Sequence, residues 1–172
     1  MEANRHTMPV LMRRLHELPS NYLNGEGIEF EPYKIFLSPK NTQNWFRAWT
    51  GNASADANSY LVFGQDGTGG YAAIWLIRAS KNLLDQPIAF FGSEGEVGVI
   101  AQNFSNYLWL LASGHGPYEA LSHLNDEQNA NTEFVKFAEQ HATTPQSKAS
   151  EIVEKAGAEF PNFKERILSV CN

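Results

Sequence analysis

The residues with the clearest potential for chemistry form a glycine-rich stretch, QDGTGG, at residues 65–70. Gly67, Gly69 and Ala72 match the GxGxxA spacing of a dinucleotide fingerprint, and Asp85 follows downstream. That fingerprint binds pyrophosphate because a helix begins directly after the glycines and points its amide groups at the phosphates. Here the apolar run YAAIWLIR follows, which is typical of a strand, and no Lys-Ser/Thr pair completes a P-loop. The sequence therefore predicts a hairpin turn, with positive φ at several glycines, in place of a cofactor site.

Carboxylates form the second group of candidates. Glu94 and Glu96 flank Gly95 in another turn, and two nearby carboxylates can share acid and base roles in hydrolysis. In an exposed turn both stay ionised, so the alternatives are a solvated loop tip and a contact with a basic partner. If both turns project from the same end of a sheet, Asp66 joins Glu94 and Glu96 in one acidic rim. Asp85 is a further candidate partner contact.

The remaining reactive side chains form no catalytic pattern. No histidine pairs with another at i+4 or in an HExxH frame, no serine lies in a GxSxG elbow, and Cys171 has no evident base partner. The histidines are His6, His16, His115, His123 and His141. The sequence therefore predicts no catalytic residues, no metal site, no cofactor and no enzymatic activity.

Acidic charge is concentrated in the middle of the chain. The 172 residues carry a formal net charge of −6, yet residues 1–40 hold five Lys/Arg and five Asp/Glu, and residues 131–172 hold five and six. Residues 41–130 hold three Lys/Arg and eight Asp/Glu, a difference of −5. An acidic surface repels phosphate backbones and attracts basic partners. Composition thus favours a basic protein partner over nucleic acid.

The chain carries no marks of export or membrane insertion. Its single cysteine, Cys171, excludes an intramolecular disulfide. The start of the sequence, MEANRHTMPVLMRRLHELP, lacks an apolar signal-peptide core, and no run approaches the ~18 apolar residues of a membrane span. We expect a soluble, cytoplasmic protein with no membrane partner.

Strand patterns are clustered in the middle of the sequence. The predicted strands are YLVF (60–63), YAAIWLIR (71–78), PIAFF (87–91) and VGVIA (97–101), with a further edge strand around Pro32. Short turns between them make sequential strands antiparallel neighbours, so we expect a meander of about four strands or more. The apolar run YAAIWLIR predicts a strand covered on both faces. The open edges of such a meander leave homo-oligomerisation as an alternative.

Helices flank this sheet in the predicted order. They cover Met8 to Leu18, Pro39 to Gly51 with Ser38 as cap, Asn103 to Gly114, a start at Pro117, a start capped by Thr132, Pro145 to Gly157, and a start at Pro161. The polar break NDEQNANT is the best candidate boundary. The organisation is therefore an α+β core domain over residues 1–130, with a helical extension over 131–172 docked on it.

Trp45 and Trp49 lie on one face of the second predicted helix, because residues four apart are neighbours on a helix. We expect this face to pack on the sheet. A partner-facing aromatic patch is the alternative.

Three segments carry a resemblance to a known family: FGQDGTGGYAAIWLI, PIAFFGSEGE and VIAQNFSNYLWLLASG. With Leu18, Pro19 and Tyr22 as a loose match to an N-terminal "LP..y", the chain resembles the SUKH superfamily, known through the Smi-one/Knr-four proteins. The similarity covers about residues 18–125 and is most specific between Phe63 and Leu111. The tail after Asn131 is extra.

The resemblance implies an antiparallel sheet flanked by helices and a non-enzymatic binding role. Bacterial members look like immunity proteins that neutralise nuclease or other toxins, and yeast members resemble scaffolds that regulate cell-wall synthesis. The leading hypothesis is therefore an immunity protein that binds a cognate toxin. The alternatives are a scaffold that uses the C-terminal helices, and a nucleotide-binding enzyme that uses the Gly67–Gly70 turn.

Overall fold

The computed structural model describes residues 5–20 and 27–172 of the chain. In chain order the elements are α1 (Val10–Leu15), β1 (Phe30–Pro32), α2 (Pro39–Thr50), β2 (Tyr60–Asp66), β3 (Tyr71–Trp75), a short 3-10 helix (Leu83–Asp85), β4 (Ile88–Phe91), β5 (Val97–Ala101), α3 (Phe104–Ala112), α4 (Pro117–Ser122), α5 (Thr132–His141), α6 (Ala149–Glu159) and α7 (Phe163–Val170).

The strands form one antiparallel sheet in the order β1-β2-β3-β4-β5. Each strand pairs with the next along the chain. Tight turns join β2 to β3 and β4 to β5, residues 76–87 join β3 to β4, and residues 33–59, which include α2, join β1 to β2. The predicted meander and the predicted edge strand at Pro32 are both confirmed. The architecture is α+β, with helices before and after the sheet, including the C-terminal ones.

Both faces of the sheet are buried. On the first face, side chains such as Phe63, Ile74 and Phe90 pack under α1, α3 and α5. On the second face, side chains such as Trp75 and Phe91 pack under α2 and α7. This two-sided burial explains the nearly continuous apolar run of β3, in which Ala72 to Trp75 alternate between the two faces.

Helix α2 shows how local sequence sets an element and its contacts. Ser38 Oγ accepts a hydrogen bond from the Asn41 amide at 3.1 Å, and Gly51 ends the helix in the left-handed region at φ 65°. Trp45 and Trp49 lie 5.2 and 5.4 Å from the Phe91 ring, centroid to centroid. The interpretation of this aromatic face as a sheet-packing surface is confirmed.

Several helix boundaries differ from the sequence predictions. Asn131, not Thr132, caps α5, because its side chain accepts from the amides of Glu133 and Phe134. Gly157 lies within α6, where a Cβ would meet no atom within 4 Å, so this glycine does not end the helix. Strand β3 ends at Trp75, before the predicted residues 76–78, because its pairing with β4 ends at Ile74, which lies opposite Ile88, the first residue of β4.

The first predicted helix is shorter than its apolar pattern. Helix α1 covers Val10–Leu15, and the predicted match at Tyr22 lies outside the described residues.

The longest helix of the described residues, α2, has 12 residues. Within the ranges 5–20 and 27–172, no helix has the length and apolar character to cross a bilayer.

The C-terminal helices are built into both halves of the core. Helix α5 contributes Phe134 and Phe137 beneath the first face, and α7 contributes Phe163 and Ile167 beneath the second. Helix α6 packs along β5 and so covers one edge of the sheet. The other edge, β1, has three residues including Pro32, which cannot donate to a ladder. Neither edge is the long, unpaired strand that favours pairing between copies.

Candidate partner-binding site

The two glycine turns lie side by side at one end of the sheet. Tyr71 at the start of β3 pairs with Phe91 at the end of β4, so turns 67–70 and 92–96 project in the same direction. Ser93 Oγ donates to Thr68 Oγ1 across the gap at 3.2 Å. The condition for grouping the two turns is therefore met, and this end of the sheet is called the turn end below.

The first turn is a hairpin turn, as predicted, but only one of its glycines has positive φ. Gly69 adopts φ 96°, where a side chain would be strained. Gly70 is required for space, because a Cβ there would lie 2.6 Å from Cζ of the buried Phe90, whereas a Cβ at Gly67 would meet only the side chain of the exposed Glu29. The prediction of positive φ at several glycines is therefore wrong, because neither Gly67 nor Gly70 has a positive φ.

Asp66 is not the exposed carboxylate that a loop tip implies, since it is only 6% exposed. Its Oδ1 accepts three hydrogen bonds that hold the turn, from Thr68 N at 2.9 Å, Thr68 Oγ1 at 2.8 Å and Gly70 N at 2.7 Å. Its Oδ2 is buried and has no hydrogen-bond partner in the described part of the chain. Asp66 therefore organises the turn with one oxygen and leaves the other unsatisfied.

The second turn presents its two glutamates differently. Glu94 is exposed, and its amide donates to Glu96 Oε2 at 3.2 Å. Glu96 is half-buried and folds back over its own turn. Glu94 is therefore the more accessible carboxylate, and Glu96 is partly committed to local structure.

Three further carboxylates lie at or near the turn end and were not predicted as site residues. Glu29 lies against Gly67, and Glu31 accepts from Gln65 Nε2 at 3.1 Å, because β1 pairs with the last residues of β2. Glu119 of α4 is near enough to Asp66 for their charges to interact. The sequence offered little indication that Glu29 and Glu31 belong to the site, because residues 1–40 carry equal numbers of acidic and basic residues. The two glutamates reach this end only through the pairing of β1 with β2.

Burial changes the ionisation of Glu119. Its removal from water raises the pKa of Glu119, and the negative charge of Asp66 acts in the same direction. The amides of Glu119 and Gly116 and the nearby His123 oppose this rise. The carboxyl of Glu119 therefore resists ionisation more than an exposed glutamate does.

Asp85 lies at the opposite end of the sheet, formed by residues 76–87 and 102–103 and called the loop end. Its carboxylate accepts from Ser80 Oγ at 2.7 Å and from Asn82 Nδ2 at 3.4 Å. The connection from β3 to β4 must lie at the end away from turns 67–70 and 92–96, since the strands are antiparallel. The structure therefore brings Asp66, Glu94 and Glu96 together and separates Asp85 from them.

Arg78 links the loop end to the C-terminal helices. Its Nε donates to the Asp85 carbonyl at 3.0 Å and its Nη2 to the Gln102 carbonyl at 3.1 Å. The same guanidinium forms a salt bridge with Glu159 and lies over the Phe160 ring, 5.4 Å from its centroid. Arg78 and Glu159 are therefore paired within the fold, whereas the Asp85 carboxylate is held by neutral side chains.

Two histidines, the half-buried His16 and the buried His115, have structural environments. His16 Nδ1 bonds the Tyr33 carbonyl at 2.7 Å and its ring stacks on Phe63, while His115 Nδ1 bonds Ser113 Oγ at 3.0 Å. Burial lowers the pKa of both rings, although their hydrogen bonds to the backbone oppose this shift. Both imidazoles are therefore held in the neutral form more strongly than an exposed histidine.

The turn end is an unneutralised negative surface. Its carboxylates, called the turn-end carboxylates, are Glu29, Glu31, Asp66, Glu94 and Glu96. None of them forms a salt bridge with any residue in the ranges 5–20 and 27–172. Across those ranges no group of three or more His, Cys, Asp or Glu side chains is arranged to hold a metal ion. The chemistry available here is the attraction and hydrogen bonding of cationic groups.

Comparison with known proteins leaves this geometry as the basis for assigning a function. The chain matches no protein-family model, no curated protein and no solved structure.

Proposed function

We propose that this protein is a non-enzymatic binding module that recognises a basic protein through its turn end. The observation that supports this proposal is the set of turn-end carboxylates, which have no salt bridges in the described residues. The fold gains no ion-pair stabilisation from them, and their mutual repulsion acts against folding. A basic partner would neutralise this surface and associate faster because of it.

The partner class that fits best is a toxin, with this protein acting as its immunity protein. The similarity of its turns and of α3 to the SUKH superfamily supports this assignment, together with the acidic middle of the sequence. A nuclease must carry a basic surface to hold nucleic acid, so an acidic inhibitor can occupy that surface. Such a protein would act in the cytoplasm, where the toxin attacks.

Co-expression with candidate toxins tests this proposal. The genes beside the one for this protein supply the candidates, and each toxin is expressed with and without this chain in the same host. The proposal predicts that one toxin is tolerated only when this chain is present, and that the two proteins copurify. If no candidate is bound or neutralised, the immunity role fails.

A variant with altered charge tests whether the turn end is the surface that binds the toxin. Replacing Glu94 and Glu96 together by glutamine removes two charges and retains the hydrogen bond from the Glu94 amide to residue 96. This variant should protect less well than the wild type at equal expression. The matched control replaces Glu139 and Glu154, which are exposed on α5 and α6, and should protect fully.

A further inference from the structure

A cavity lies in the core of the first face, between the end of α1, β1, α3 and α5. Its volume is about 300 Å³. The lining combines buried side chains, among them Leu15, Tyr107, Leu111 and Phe134, with half-buried ones such as Leu18. Pockets that bind small molecules have volumes of roughly 300–1,000 Å³, so this cavity is large enough for a small ligand. It is called the apolar cavity below.

The lining of the apolar cavity carries no permanent charge. Among the described residues that line it, none is an aspartate, glutamate, lysine or arginine. His16 belongs to the lining, and burial lowers the pKa of its ring, so the imidazole is neutral near neutral pH. An unpaired charge is costly to move out of water into such surroundings. The apolar cavity therefore favours an uncharged ligand.

Aromatic rings form much of the wall, and the core holds three of them in place. These three rings belong to His16, Phe30 and Tyr107. Each packs on the fully buried Phe63, at centroid distances of 5.8, 6.1 and 5.7 Å respectively. Phe134 of α5 adds a further ring to the wall. Because core contacts already fix these side chains, they lose little freedom when a ligand binds.

The size and the wall together favour a flat ring system. Aromatic rings attract one another in offset and edge-to-face arrangements, in addition to the gain from burying apolar area. An engineered apolar cavity of about 150 Å³ in another protein binds benzene. The apolar cavity, at about 300 Å³, therefore has room for two fused rings.

We infer that the apolar cavity is a binding site for a small, uncharged aromatic molecule of one or two rings, held against Phe30, Tyr107 and Phe134. None of the turn-end carboxylates lines this cavity, so the inference does not depend on the proposed function. Failure of one leaves the other in place.

The test uses indole as the probe, titrated into the full chain with isotope-labelled isoleucine and leucine methyl groups and followed by NMR. The methyl groups of Ile28 and Leu111 report directly, since both residues line the cavity. The ring current of bound indole should shift these signals saturably, with a Kd on the order of 1 mM or below. Absence of saturable shifts up to about 5 mM indole, or shifts confined to residues outside the lining, would overturn the inference.

Matched probes test the two chemical requirements separately. Indole-3-carboxylate carries a charge on the same ring system and should bind at least about tenfold more weakly than indole. Phenol and cyclohexanol are similar in size and both uncharged near neutral pH, and phenol should bind at least about threefold more tightly. Equal binding of indole and its carboxylate would contradict an uncharged site. Equal binding of phenol and cyclohexanol would contradict recognition of an aromatic ring.

Variants that fill the cavity assign the binding to it. Leu111→Phe enlarges a buried side chain of the wall and should weaken indole binding at least about tenfold. Leu18→Phe does the same from a half-buried position of the lining, which keeps the test decisive if Leu111→Phe does not fold. Leu84→Phe, at a half-buried position of the loop end outside the lining, is the matched control and should bind as the wild type does. Unchanged indole binding in a folded filling variant would place the ligand elsewhere and overturn the inference.

Discussion

The two ends of the sheet use charge in opposite ways. At the loop end, Arg78 binds Glu159 and two backbone carbonyls, and Asp85 accepts from Ser80 and Asn82. At the turn end, the turn-end carboxylates bond mainly to nearby backbone or neutral side chains and form no salt bridge in the described residues. Both ends carry acidic side chains, but only at the loop end is a carboxylate, that of Glu159, paired with a cation of the described residues.

This difference separates structural charge from charge available to a partner. Charged side chains that the fold pairs contribute to stability, and their removal should show in unfolding experiments. Replacing charged side chains that the fold leaves unpaired should change the free energy of unfolding very little and should weaken binding to a partner. Asp66 is the exception at the turn end, because one of its oxygens is structural.

The largest effect is expected from removing the helices that clamp the loop end. A chain ending at Ala130 loses Glu159 and also core side chains such as Phe134, Phe163 and Ile167. Each large buried side chain contributes about 2–5 kcal/mol, so the loss exceeds the 5–15 kcal/mol by which a domain of this kind is stable. Circular dichroism and NMR should show an unfolded chain.

A shorter truncation provides the control. Removing Cys171 and Asn172 loses the hydrogen bonds from Asn172 to Thr50 and Gly51, that from the Cys171 amide to the Leu168 carbonyl, and the weak contact of the Cys171 thiol. None of these belongs to the core, so the chain should stay folded. If the chain ending at Ala130 instead folds but loses its partner, the C-terminal helices are a binding scaffold, and the assignment of recognition to the turn end is wrong.

Asp66 should give the largest point-mutation effect at the turn end. Asp66→Ala removes the acceptor of three hydrogen bonds, one of them from the buried Gly70 amide, and should cost about 2–4 kcal/mol in the free energy of unfolding. Asp66→Asn retains an acceptor oxygen and should cost less than about 1 kcal/mol. Urea unfolding of the two variants measures the difference. Equal losses would mean that the charge, not the acceptor geometry, holds the turn.

The contrast between the ends is tested by one substitution at each. Arg78→Met removes hydrogen bonds to the Asp85 and Gln102 carbonyls and the ion pair with Glu159. Because the side chain is about one third exposed, we expect a loss of about 1–2 kcal/mol. Glu94→Gln should change the free energy of unfolding by less than about 0.5 kcal/mol. A large loss for Glu94→Gln together with a negligible loss for Arg78→Met would reverse the comparison.

The smallest effect is a pH dependence at Glu119. The pKa of this carboxyl is raised in the folded protein from its ordinary value of 4.5, so the folded state binds its proton more tightly than the unfolded state. That contribution to stability is complete below pH 4.5 and is lost as the pH rises through the folded pKa. Glutamine cannot ionise, so Glu119→Gln should gain melting temperature relative to wild type between pH 4 and pH 7. A difference that stays constant or shrinks with rising pH would contradict the assigned burial.

Sequence patterns were sufficient for the central fold. The apolar run YAAIWLIR correctly predicted that both faces of β3 are buried, and Ser38 with Pro39 correctly predicted the start of α2. These features are local, because they depend on residues adjacent in the chain or one helical turn apart. The end of β3 and the cap of α5 were misplaced, since the extent of pairing with β4 and the position of Asn131 depend on tertiary contacts.

The candidate site was only partly predictable. The grouping of Glu94 with Asp66 followed from hairpin connectivity, but the burial of Asp66 and the approach of Glu29 depend on how β1 docks beside β2. Those residues are about 37 positions apart, a separation at which periodicity carries no information. Asp85 was grouped with the site on charge alone, and the antiparallel topology places it at the other end.

The most direct test compares two triple variants in binding to the toxin candidate that this chain neutralises. One replaces Glu29, Glu94 and Glu96 at the turn end by glutamine, and the other replaces Glu139, Glu151 and Glu154, which are exposed on α5 and α6. Both remove three negative charges, so net charge is matched. The turn-end variant should bind at least about tenfold more weakly, with a reduced salt dependence, while the control binds as the wild type does. Equal affinities for the two variants would contradict recognition through the turn end.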